Sequence, residues 1–162
     1  MRIKQLLGIM VCMGLAFGLT SCKEEKKLVG TWEVEKVQYT ETKKNHPVAE
    51  ENGTSDTTLI YGAGEFLLTF TKKGVVVVQD TDDSGNKGNW TGSYMIVDKT
   101  LYMMGEEYAF SIKGKEMTLT SEDTRKALYY KPGSYDNNGN WVPAEDIKYD
   151  EYSKRVITLK ER

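Results

Sequence analysis

Gly92-Ser93-Tyr94-Met95-Ile96, Leu101-Tyr102-Met103, Tyr108-Ala109-Phe110-Ser111-Ile112 and Met117-Thr118-Leu119-Thr120 are the stretch that decides the fold. In the last two runs large apolar side chains alternate with smaller or polar ones. Trp90, Tyr94 and Ile96 likewise fall on one parity, with Gly92 between them. Successive residues of a strand point to opposite faces, so this is the pattern of sheet with one dry side. Asp98-Lys99, Gly105 and Lys113-Gly114 separate the runs, and residues of these types make tight reversals. Working outward, Phe66, Leu68 and Phe70 alternate in the same way. Val75 to Val78 is an unbroken β-branched run, and Leu128 to Tyr130 and Val156 to Leu159 complete the set. Lys72-Lys73-Gly74 and Ser84-Gly85-Asn86 are further turns. About ten residues per strand marks a sandwich or a barrel, and connections this short favour a meander.

The first strand carries an irregularity. Gly30-Thr31-Trp32-Glu33-Val34 has its apolar residues at even positions, whereas Val37 and Tyr39 are at odd ones. A phase flip across Glu35-Lys36 predicts a β-bulge. Thr40 to Thr58 and Lys131 to Ala144 are long and polar, and are expected as loops that carry contacts. Ala144 to Arg155 is the one segment where a short helix is expected.

The chain has 162 residues, which argues for one domain. Its 22 Lys and Arg against 24 Asp and Glu give a net charge of −2, without the excess of base that a nucleic-acid surface needs. The first 21 residues differ from the rest. Arg2 and Lys4 precede an apolar run from Leu6 to Leu19, followed by the small residues Thr20 and Ser21. This is the layout of a signal peptide, and the run is short of the ~20 residues that span a bilayer. Leu19-Thr20-Ser21-Cys22 resembles a bacterial lipobox, which implies cleavage before Cys22 and lipid on its sulfur. The expected organisation is a signal peptide over 1–21, a lipidated tether over 22–27 and one domain over 28–162. The tether run Lys23-Glu24-Glu25-Lys26-Lys27 resembles the surface-export signal of Bacteroidota lipoproteins. The expected location is the outer membrane, facing the periplasm or the cell surface, with the membrane as partner through Cys22.

Catalytic chemistry has little to work with. Cys12 falls in the segment to be removed and Cys22 is consumed by lipid. His46 is the only histidine. A zinc site or a histidine base needs partners that these leave missing. No nucleophile elbow or phosphate loop appears, so neither an enzyme nor a cofactor is expected. Asp80-Thr81-Asp82-Asp83-Ser84-Gly85-Asn86 matches the first half of a calcium loop, but Thr91 stands where a bidentate Glu is required. A solvated hairpin tip explains the same residues, and no metal site is expected.

Gly30-Thr31-Trp32 resembles the Gly-x-Trp that opens the first strand of lipocalins. With the runs from Gly92 to Thr120 it is similar to the lipocalin-like lipoprotein domains of Bacteroidota. The resemblance covers about Leu28 to Glu122 and resumes over Arg155 to Lys160. It implies a single antiparallel up-and-down barrel of about eight strands, with a small-molecule cavity at its open end. It also implies that Gly30 and Trp32 are structural, Trp32 packing across the closed end under Arg155 or Arg162. Asp123 to Lys154 departs from the family pattern. In such a barrel Phe66, Phe70, Tyr94, Tyr108 and Phe110 point inward as candidate ligand-lining residues, the two tyrosines offering hydroxyls to orient a ligand. Two functions follow as expectations. One is non-catalytic binding of a small apolar or amphipathic molecule by a monomeric, anchored barrel. The other is a side-chain-filled barrel serving as a surface interaction module, contacting a protein or glycan through its long loops and the aromatics Trp90, Tyr135 and Trp141.

Overall fold

A computed structural model describes residues 25–82 and 84–162. The signal peptide, the lipobox and Cys22 lie outside the described residues. The strands are β1 (Gly30–Lys44), β2 (Gly53–Ile60), β3 (Phe66–Phe70), β4 (Val75–Thr81), β5 (Lys87–Val97), β6 (Thr100–Met103), β7 (Glu106–Lys113), β8 (Glu116–Lys131), β9 (Ser134–Tyr135), β10 (Trp141–Val142) and β11 (Glu145–Glu161). All pairings are antiparallel. The order β1-β3-β4-β5-β6-β7-β8-β11 returns to β1, so eight strands close an up-and-down barrel.

The alternating face fills the interior. Trp32, Val34, Phe70, Val76, Leu101, Met117, Leu119 and Leu159 are buried in one apolar cluster with Tyr94, Met103 and Tyr108. A helical turn over 25–28 sets Leu28, fully buried, against one end. Trp32 Nε1 donates to the Leu28 carbonyl at 2.8 Å, so the tryptophan closes that end. Of the two arginines of the Gly-x-Trp reading, Arg155 lies elsewhere. Arg155 pairs with Tyr39, seven positions further along β1. Arg162 joins β1 through its main-chain N–H, which donates to the Thr31 carbonyl at 3.0 Å.

The expected bulge is present. The β1–β11 register shifts between Val34 and Lys36, which brings Val37 to the same side as Val34. Beyond it the far half of β1 leaves the barrel and pairs with β2 on one side and β11 on the other. β7 pairs with β8 only up to Thr120, whereas β8 and β11 stay paired to Lys131 and Glu145. The result is a four-stranded wing, β2-β1-β11-β8, standing over one side of the barrel mouth.

The wing corrects three expectations. Thr40 to Thr58 is not a loop but the β1–β2 hairpin, with a 3-10 turn over Ala49–Glu51. Ala144 to Arg155 is not a helix but the first part of β11, and Lys131 to Ala144 folds into the small β9–β10 hairpin at the tip. The physical reason is charge. Glu122 lies opposite Lys154, Arg125 opposite Glu151, Lys126 opposite Asp150 and Lys131 opposite Glu145, and each pair is an ion pair. Cross-strand charge pairs set the register here where apolar alternation sets it in the barrel.

Candidate functional site

The inward rows of three strands change character as they leave the barrel. On β7 the row Ile112, Phe110, Tyr108 ends in Glu106. On β11 the row Leu159, Ile157 continues to Arg155. On β1 Val37 is followed by Tyr39. These four polar ends converge at the mouth. Arg155 Nη2 donates to Glu106 at 2.8 Å, and the Tyr108 hydroxyl donates to the same carboxylate. Arg155 Nη1 lies 3.5 Å from the Tyr108 oxygen. The guanidinium carbon sits 5.9 Å from the Tyr39 ring centroid and 6.0 Å from that of Tyr108, so the cation is held between two aromatic faces.

The electrostatics follow from that contact. Burial acts to raise the Glu106 pKa, but the hydrogen bonds from Tyr108 and Arg155 outweigh it and hold the carboxyl below its ordinary value. Burial, reinforced by the hydrogen bond to Glu106, pushes the Tyr108 phenol far above its ordinary value. A carboxylate so engaged is a poor base, and a phenol so raised is a poor acid near neutrality.

Above the cluster is an open cleft of about 610 Å³ between the mouth and the wing, bordered by Tyr39, Glu106, Asp123, Ser153 and Arg155 among others. It is lined by both polar and apolar surface and opens to solvent, unlike an enclosed apolar cavity. Among the described residues no group of three or more His, Cys, Asp or Glu is placed to hold a metal ion. Asp82 turns its carboxylate onto its own hairpin, accepting from the N–H groups of Ser84 at 2.9 Å and Asn86 at 2.8 Å. Asp136 does the same with Asn138 and Asn140.

Of the five proposed lining residues, Phe70, Tyr94 and Tyr108 are buried in the core, while Phe66 and Phe110 are partly buried against it. Phe70 and Tyr94 meet edge to face at 5.1 Å. Both tyrosine hydroxyls are engaged: Tyr94 donates to the Thr71 carbonyl at 2.6 Å, and Tyr108 to Glu106. Phe66 packs against Tyr61. Trp90, Tyr135 and Trp141 are exposed, and the last two meet edge to face at the wing tip. His46 rests edge-on against Tyr149 at 4.5 Å and Tyr129 at 5.1 Å on the wing. Glu106 and Tyr39 carry no motif in the sequence. Their signal is only that they continue the inward parity of Tyr108 and Val37.

No family model matches the chain, and no curated protein or solved structure matches it either.

Proposed function

We propose that the chain is a non-catalytic envelope lipoprotein, a lipocalin-like barrel that works as a surface interaction module with the wing and mouth cleft as its contact face. The observation that carries this reading is the interior. The aromatic residues that would line a ligand cavity are buried in one apolar cluster or packed against it, and the tyrosine hydroxyls that would orient a ligand already have partners. A molecule entering the lumen would have to displace well-packed core, which costs several kcal/mol. Orientation supports the same reading. Cys22 precedes the turn that seals the closed end, so lipid there holds that end to the outer membrane and directs the wing away from it. The two acyl chains of a lipidated cysteine suffice for stable anchoring.

Two measurements test this. Native mass spectrometry of protein from its own membranes is expected to find the mass of residues 22–162 plus lipid and nothing more. A stoichiometric small apolar molecule, bound so that Tyr94 and Phe70 shift in NMR spectra, returns the function to the lumen. Cys22→Ala is expected to move the protein from membranes to the soluble fraction. Retention in membranes refutes the lipid anchor.

A further inference from the structure

We infer that β2 is a docking edge for an extended peptide segment of another protein, one with a lysine or arginine at the end that lies beside Gly53. The inference rests on the interaction reading and names the partner class for it. Among the described residues β2 is bonded on one side only, through eight successive register pairs with β1 and no shift, and every one of its residues is exposed. Its other side therefore presents alternating free N–H and C=O groups. Natural sheets protect such an edge with lysine, proline or a bulge. Gly53-Thr54-Ser55-Asp56-Thr57-Thr58-Leu59-Ile60 has none of these. Its one charge, Asp56, is turned back onto β1, where its carboxylate accepts from Thr40 Oγ1 at 2.6 Å. The opposite edge of the wing, Ser121 to Lys131, carries Glu122, Asp123, Arg125, Lys126 and Lys131. One edge carries five charges and the other only Asp56, and an edge without lysine, proline or a bulge is the condition for strand addition.

Charge selects the orientation of the added strand. The start of β2 borders a groove of about 240 Å³ with Glu41, Glu50 and Glu51 on its rim and Lys43 as the cation among them. Lys43 is shared between Glu41 at 3.4 Å and Glu51 at 3.1 Å. A basic residue on the incoming strand balances the remaining carboxylate. A second copy of this chain fits less well. Antiparallel pairing of β2 with its own copy turns the second barrel end for end, so the two closed ends point apart and both tethers cannot reach one membrane.

The test uses a synthetic peptide copying residues 36–44, Lys-Val-Gln-Tyr-Thr-Glu-Thr-Lys-Lys, against the soluble Cys22→Ala chain. In the register that β1 uses, its terminal lysines come beside Gly53 and the Glu50-Glu51 turn. Hydrogen exchange read by NMR is expected to show alternate amides of Gly53–Ile60 slowed about tenfold when peptide is about ten times its Kd. N-methylating one alternate set of the peptide's amides abolishes the effect, and methylating the other set leaves it. The Glu50→Lys, Glu51→Lys double variant, altered only on an exposed turn, is expected to weaken binding about fivefold. The inference is overturned if β2 amides do not slow in saturating peptide, or if protection falls on Ser121–Lys131 instead. It is overturned equally if β2 becomes protected without peptide as protein concentration rises, which identifies a second copy. A lumen ligand found with β2 docking intact sinks the functional reading alone. Loss of β2 docking with an empty lumen sinks this inference alone.

Discussion

Arg155 Nη2 lies 2.8 Å from both carboxylate oxygens of Glu106, although β8 runs between their strands. The pair therefore ties β11 to β7 across the barrel mouth, where the ladder between β7 and β8 ends. Both side chains are partly exposed, so solvent screens much of the attraction. Glu106→Gln and Arg155→Met are each expected to cost about 1 kcal/mol in urea unfolding, and the double variant less than the sum. A coupling energy of zero removes the clasp.

The same cluster shapes the pH dependence. The Glu106 carboxyl is held below its ordinary 4.5 in the folded chain. Its contribution is complete above that value and is lost as pH falls through the folded pKa. The Tyr108 phenol is raised above its ordinary 10.0, so the unfolded chain gives up the proton first and stability declines as pH rises past 10. Glu106→Gln is expected to flatten the acid limb of a stability profile, and Tyr108→Phe the alkaline limb. Unchanged limbs refute the assignment.

The seal at the closed end has two separable parts. Trp32→Phe keeps most of the ring but leaves the Leu28 carbonyl without its donor, at a cost of about 1–3 kcal/mol. Trp32→Ala also opens a void beneath Leu28 and is expected to cost about 3–5 kcal/mol. Denaturant midpoints rank the two. Equal loss from both variants means that the hydrogen bond, not the bulk, holds this end shut.

Trp141 covers Gly133 so closely that a Cβ there would lie 2.6 Å from its ring, with the Ala144 nitrogen at 3.1 Å. Gly133→Ala is expected to push the indole aside and loosen the β9–β10 tip, without moving the midpoint of global unfolding. Acrylamide quenching of the variant against wild type reads the indole, and circular dichroism melting reads the barrel. A lowered global midpoint means that the tip is coupled to the core.

The barrel was legible because one face of each strand is dry, and hydrophobic alternation reports that directly. Val34 and Val37 even revealed the bulge, since only a phase slip puts both inside. The wing escaped the same logic because water reaches both of its faces. Its register is written in charges mirrored about the hairpin centre, as Arg125 with Glu151 and Lys126 with Asp150. A search for complementary charges at mirrored positions finds it where a hydropathy search sees a loop or a helix. Arg155 by its type suits a place over Trp32, and only its register to Tyr39 puts it at the mouth. Filled and hollow interiors share one alternating pattern, so the packing of Phe70 on Tyr94 was visible only in three dimensions.

β1 runs without a break from the sealed end to the far end of the wing, hydrogen-bonded to neighbours on both sides for most of its length. A pull applied between a lipid at the base and a partner held at the tip is directed along this strand. Its ladder bonds then share the load in shear and must yield together, instead of being peeled apart one by one. A strand loaded in this way holds the fold together under tension.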